Sequence, residues 1–244
     1  MAVVTETSRD YPAERRFFCG MAIALILSVF LGFARSFYLK WFFPEWPAPQ
    51  ESFFLVHGLF FTGWVALLVA QTTFVAKGNV RLHRKMGTWG MALAAAIVIL
   101  GVVGALIAAR RPTGFVGIPV PPLQFLAIPL FAITLFCSFV ALAFVFRRDP
   151  QTHKRLMMLA TFQLATAAIA RWPVVSTMGP LVFFGIIDLF LIALAIWDFR
   201  SRGKLHPATV WGGVLMIAAE PAQLMVMGTK GWLAFASWAT GLLG

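Results

Sequence analysis

The sequence predicts an all-α integral membrane protein, a bundle of about seven transmembrane helices with a cytoplasmic N-terminus and an external C-terminus. Of its 244 residues, 60% are hydrophobic and 12% charged, and the mean hydropathy is +0.85. A soluble fold of this size could not hide so much apolar surface from water. A bilayer core takes roughly 20 apolar residues per helix. Stretches of that kind are predicted at 17–34, 53–75, 87–109, 124–146, 156–175, 180–198 and 208–227.

The distribution of basic residues predicts the orientation. The formal net charge is +11, and most of the basic residues precede the first segment or follow the second, fourth and sixth. Helices that alternate in direction would place these regions on one side, which the positive-inside rule assigns to the cytoplasm. We expect this face to contact anionic lipid head groups. Since the charge lies in loops between apolar segments, nucleic acid is not expected as a partner.

The apolar segments leave no room for a separate soluble domain. The predicted organisation is a polar tail over 1–16 and a single transmembrane domain over 17–244. Glu14 in the leader argues against a signal peptide and favours a retained first helix. The two cysteines, Cys19 and Cys137, both lie within predicted spans and suggest no disulfide framework.

Three of the four histidines occur at the basic turns, at the start of an apolar segment. They are His83, His153 and His206, and helix alternation would bring all three to the cytoplasmic side. Neutral imidazole binds haem iron, copper and zinc. A helix N-terminus among basic residues favours an anion instead, such as a phosphate, a lipid head group or a haem propionate. Histidines that merely line an interfacial loop, with no ligand, are the third alternative.

A second group of polar residues is predicted in the outer half of the membrane. Ionisable side chains inside a bilayer are costly, face the bundle interior and often mark a function. Here they are expected to be Arg171 paired with Asp188 or Glu220, either as a static ion pair or as part of a ligand site or proton path. His57, Trp64 and Gln71 recur every seven residues and share one helix stripe, a pattern that helix packing also produces.

Two stretches of the sequence resemble known motifs. Leu82–Gly87 resembles the Leu-His-Arg-x-x-Gly signature of several families of bacterial polytopic membrane proteins, and Thr152–Met158 resembles a His-Lys-Arg-Leu-Met motif that some of them carry. The stretch from His57 to Gln71 is similar to the same group. Some of these families are loosely similar to b-type membrane cytochromes and to haem-copper oxidase accessory proteins. The resemblance implies a bacterial inner-membrane protein, haem b as cofactor, and His57, His83 and His153 as the residues to watch.

The leading functional hypothesis is therefore a haem- or metal-binding membrane protein associated with redox chemistry, with His83 and His153 as ligands and His206 beside them. The alternatives are a transporter or binder of a small anionic or lipid-like ligand, and a non-catalytic subunit of a larger membrane complex. No nucleotide-binding, hydrolase or zinc-protease motif occurs in the sequence. The sequence does not decide whether the protein is an enzyme.

Overall fold

The structure, a computed structural model, describes residues 11–47, 52–115 and 118–243, and these ranges contain helices and no strand. The helices are α1 (Tyr11–Phe33), α2 (Ser52–Ala76), α3 (Val80–Arg110), α4 (Pro122–Phe125), α5 (Ala127–Val145), α6 (Pro150–Ile169), α7 (Val175–Met178), α8 (Pro180–Arg202), α9 (Pro207–Val226) and α10 (Lys230–Gly241). A π turn (Ala34–Tyr38) and a 3₁₀ turn (Lys40–Phe42) follow α1. The all-α prediction is confirmed for the described residues.

Among the residues that the structure describes, six stretches are long and apolar enough to cross a membrane, which fits an integral membrane protein. They match six of the seven predicted segments and comprise Pro12–Tyr38, Ser52–Ala76, Val80–Arg110, Pro122–Val145, Pro180–Arg202 and Pro207–Val226. The remaining predicted segment corresponds to α6, which is not among these six. The count of seven spans and the orientation in the membrane therefore stay predictions.

Helix α6 lies at the centre of the bundle, where it contacts α1, α5, α8 and α9. Nearly every residue from Leu156 to Ile169 is buried. Because the surrounding helices cover α6, its surface does not have to be apolar enough for lipid, and it carries Thr161, Gln163 and Thr166 in buried positions. The low hydropathy of this segment is thus a consequence of its central position.

The three basic turns lie at one end of the bundle, which we call the basic end. Each turn starts a helix with a side chain that caps the free backbone N–H groups: Asn79 accepts from Leu82, Asp149 accepts from Gln151 and Thr152, and His206 accepts from Ala208. The predicted alternation, with all three histidine turns at the same end, is confirmed.

The start of α1 also belongs to the basic end. Residues 11–16, predicted as part of a polar tail, form its first turns, while residues 1–10 lie outside the described residues. Glu14 forms an ion pair with Lys154, and the Arg15 guanidinium donates to the carbonyl of Ala76 over 3.2 Å. Charges that the sequence placed in a tail therefore connect α1 to α6 and α2.

At the opposite end, α10 is an addition that hydropathy did not predict. Its residue Trp232 donates from Nε1 to the carbonyl of Leu123 over 2.9 Å, which fixes the short helix against α4. Trp238 and Phe235 of the same helix remain exposed. Exposed aromatic side chains of this kind are typical of a membrane interface.

Candidate functional site

Two of the predicted histidines meet at the basic end. His83 and His153 lie in the first turns of α3 and α6, and their ring centroids are 6.2 Å apart with the ring planes at 84°. They are separated by 70 positions in the sequence, so only the packing of α3 and α6 around α5 brings them together. This pair, which we call the histidine pair, is the geometry that the predicted ligand site required.

The ring of His153 is held in one orientation. Its Nδ1 lies 2.8 Å from the carbonyl oxygen of Ala143 at the end of α5. A carbonyl only accepts, so Nδ1 carries the hydrogen and donates, which leaves the lone pair of Nε2 free in the neutral ring. Histidines that bind metals have this kind of second bond to a carbonyl, because it fixes the tautomer and the ring direction.

The ring of His83, the other member of the pair, lacks a hydrogen bond at Nδ1 within the described ranges. Nδ1 of His83 is buried and has no hydrogen-bond partner in the described part of the chain, and the same holds for Oε1 of Gln71. The amide of Gln71 lies against α3 one turn beyond His83, since a Cβ at Gly87 would stand 3.6 Å from its Nε2. Buried polar atoms without partners are rare and costly, and each calls for an explanation such as a ligand.

His206 belongs to a different cluster at the same end, built around the carboxylate of Asp198. One oxygen of Asp198 accepts from Nε of Arg155 over 2.9 Å and from a second nitrogen of the same guanidinium. The other accepts from the Thr209 hydroxyl over 2.6 Å and from the backbone N–H of His206 over 3.1 Å. The Arg155 guanidinium also donates to the side chain and carbonyl of Gln151. We call these five residues the Asp198 cluster.

Both charged side chains of the Asp198 cluster are 0% exposed. Every oxygen of the carboxylate has donors, so the ion pair meets the condition under which a buried pair is tolerated. Sequence patterns did not predict this cluster, because Arg155 belongs to the basic turn after the fourth apolar segment and Asp198 lies at the very end of the sixth. The signal available was a lone carboxylate at the end of an apolar helix, eight residues before His206.

His206 therefore does not join the histidine pair. Within the described ranges, no group of three or more His, Cys, Asp or Glu side chains is arranged to hold a metal ion. Nδ1 of His206 accepts the backbone N–H of Ala208 over 3.1 Å, so this ring acts as the N-cap of α9. The prediction that His206 lies beside the other two histidines in one site is therefore wrong. Among the described residues, His83 and His153 alone form the candidate site.

The protonation of His206 leads to a testable pH dependence. Burial, followed by the positive charges of Arg155 and Arg202, holds the pKa of His206 below its ordinary value of 6.5. As the pH falls, the unfolded chain therefore binds the proton before the folded protein does. The stabilisation by neutral His206 is complete above about pH 6.5 and is lost as the pH falls through that value towards the lower pKa of the folded state.

We expect His206→Asn to remove this dependence, since asparagine also caps a helix and does not titrate. The melting temperature should fall less in the variant than in the natural chain when the pH is lowered from about 7.5 to about 5.5. Thermal unfolding in detergent at several pH values measures this difference. If the melting temperature fell equally with pH in the two proteins, His206 would not titrate in this way.

In the opposite half of the bundle, the predicted pairing of Arg171 is wrong. Its guanidinium donates to the carbonyl of Ala167 over 2.7 Å and lies 5.3 Å from the ring centroid of Phe33. Asp188 and Glu220 instead lie beside each other, and Oδ1 of Asp188 is buried without a hydrogen-bond partner among the described residues. No Lys or Arg in the described ranges forms an ion pair with either carboxyl.

The three residues of the α2 stripe, His57, Trp64 and Gln71, lie in three different surroundings. His57 stacks on Phe61 with ring centroids 4.1 Å apart, in the half of the bundle opposite the histidine pair. Trp64 is 3% exposed and donates from Nε1 to the Thr161 hydroxyl over 3.1 Å. Packing against the core therefore accounts for Trp64. Gln71 is the member of the stripe that approaches the candidate site.

Comparison with known proteins adds no assignment: no family model, no curated protein and no solved structure matches the chain.

Proposed function

We propose that this chain is a multi-pass membrane protein that binds one haem b between His83 and His153 and takes part in electron transfer at the bacterial inner membrane. The observation that supports the proposal is the histidine pair, with its ring centroids 6.2 Å apart. Imidazole nitrogen binds metal ions at about 2.0–2.1 Å, so two rings that ligate one ion have centroids roughly 5–6.5 Å apart.

The set of donors favours haem over a bare metal ion. Protein zinc sites use three or four side chains, and in the described ranges no third His, Cys, Asp or Glu accompanies the pair. Haem iron already has four ring nitrogens and takes one or two axial ligands from the protein, so two histidines are enough. The unpartnered Nδ1 of His83 and the oriented ring of His153 are consistent with axial ligands.

The electrostatics of the basic end suit the haem propionates. The N-termini of α3 and α6 lie at this end of the bundle, and the positive ends of their helix dipoles favour anions. The side chains of Arg84 and Lys85 are exposed beside His83 and add positive charge. Bound haem would supply one-electron exchange, and the residues of the chain would fix its axial direction and balance the charge of its carboxylates.

The proposal includes the membrane orientation. The basic end faces the cytoplasm, because the excess of Lys and Arg lies there. Helix α6 crosses as the seventh span inside the ring of the other helices, which puts the N-terminus in the cytoplasm and the C-terminus outside. Electron exchange would then take place near the cytoplasmic surface.

We expect protein purified from its native membrane to show a Soret band and about one iron per chain. His83→Ala and His153→Ala should each abolish the band, because each removes an axial ligand. His57→Ala is the matched control, since His57 lies against Phe61 in the opposite half and should keep the band. Absorption spectroscopy and elemental analysis make these measurements.

A natural protein without a Soret band and without iron would contradict the haem proposal. Bound copper or zinc without the band would assign the histidine pair to a bare metal ion instead. A band that survives both single substitutions at the pair would place the haem elsewhere.

A further inference from the structure

A small pocket lies in the opposite half of the bundle, between α5, α6, α8 and α9. Its walls are mainly apolar, with Ile128 and Leu135 from α5 and Met216 from α9. The polar lining consists of Gln163, Thr166, Glu220 and Gln223. The cavity measures about 10 Å³, close to the space that one water molecule needs.

Two buried amides point into this pocket without partners. Gln163 is 8% exposed and Gln223 is 4% exposed. In the part of the chain that the structure describes, neither side chain makes a hydrogen bond, although both line the cavity. Thr166, by contrast, donates its hydroxyl to the carbonyl of Phe162 over 3.1 Å. Two amides that face a cavity of this size supply the donors and acceptors that hold a water molecule.

The third member of the site is a pair of carboxyl groups. Glu220 lines the pocket, its carboxyl lies beside that of Asp188 on α8, and Oδ1 of Asp188 is buried with no donor among the described residues. Two carboxylates have no donor between them, so a hydrogen bond at this contact requires one proton. The other elements that enclose the pocket add no charge, because α5 contributes only apolar side chains to it and α6 contributes Gln163 and Thr166.

We propose that Asp188 and Glu220 form a binding site for a single exchangeable proton, connected to the pocket by a water molecule held between Gln163 and Gln223. When both carboxyls are ionised the pair carries two negative charges. Binding one proton, which arrives from the pocket water and becomes bonded to one carboxylate oxygen, leaves one negative charge and a hydrogen bond between the groups. The site shares no residue with the histidine pair, so it does not depend on haem.

The first test is infrared spectroscopy of the purified natural protein. At neutral pH we expect the carbonyl stretching band of a protonated carboxylic acid, which shifts in D2O. The band should be lost in the double variant Asp188→Asn/Glu220→Gln, whose side chains keep their shape. Glu14→Gln, at the basic end, should leave the band unchanged. Absence of the band in the natural protein, or its survival in the double variant, would overturn the proposal.

The second test concerns the water molecule. Gln223→Leu should slow the hydrogen–deuterium exchange of the carboxylic acid band by roughly tenfold, the ratio that corresponds to one lost hydrogen bond to the relaying water. The matched control is Gln124→Leu, which alters a glutamine of α4 that does not line the pocket. Equal exchange rates in Gln223→Leu and Gln124→Leu would disprove the connection through the pocket.

Discussion

Asp198→Asn is expected to destabilise the protein by about 3–5 kcal/mol, the usual cost when one partner of a buried ion pair is removed. The substitution keeps the shape of the side chain but leaves the Arg155 guanidinium, which is 0% exposed, without a counter-charge. For a chain of about this length, the melting temperature should fall by roughly 6–20 °C. Thermal unfolding in detergent, followed by tryptophan fluorescence, measures the change.

The neighbouring ion pair provides the matched control. Lys154, which precedes Arg155 on α6, forms an ion pair with Glu14 of α1. These two side chains are 22% and 20% exposed. Partial exposure lets water screen the charges, so Glu14→Gln should cost no more than about 1 kcal/mol. Equal effects of Glu14→Gln and Asp198→Asn would show that the burial of the Asp198 cluster does not govern its contribution.

A double replacement separates loss of the pair from loss of packing. In Arg155→Met/Asp198→Leu both charges are absent, and apolar side chains fill their place. Buried pairs replaced in this way are often neutral or more stable, because no charge remains to be desolvated. We therefore expect most of the stability lost in Asp198→Asn to return, and a double variant as unstable as the single would contradict the charge argument.

The position of most residues along the long axis of the bundle was predictable from the sequence. Six helices occur where apolar segments of sufficient length were found, because lipid imposes that length. The histidine turns share one end because short loops force successive helices to alternate in direction. Both results depend on distance along a helix axis, which the residue number gives directly.

The rotation of each helix about its axis was not predictable from hydropathy. Arg171 was assigned the correct half of the bundle but the wrong partner, since it faces Phe33 while Asp188 faces Glu220. Arg155 and Asp198 are 43 positions apart on different helices, and only their rotation turns them towards each other. For a helix that is apolar on all sides, the sequence contains little information about which face is buried.

The central position of α6 was hidden for a related reason. Hydropathy finds helices that face lipid, whereas α6 faces other helices and has a more polar sequence. Its place in the bundle depends on how closely its neighbours approach. The residues that permit this approach are small, and composition alone does not distinguish them from other glycines and alanines.

Gly32→Ala is the second substitution for which a large effect is expected. Gly32 is buried in α1 where it crosses α6, and an added Cβ would overlap the backbone carbonyl of Ala168. A backbone group cannot rotate away as a side chain can, so the two helices would have to separate. Overpacking of this kind costs typically 1–3 kcal/mol and occasionally more. Thermal unfolding in detergent should show a melting temperature lower by several degrees.

Gly20→Ala is the control on the same helix. Gly20 is exposed, and a Cβ there would meet nothing within 4 Å. Alanine has the higher helix propensity, so this variant should be unchanged or more stable by up to about 1 kcal/mol. The two substitutions are chemically identical, and any difference between them reports the contact with α6. If Gly32→Ala were as stable as Gly20→Ala, α1 and α6 would not be in backbone contact at Gly32.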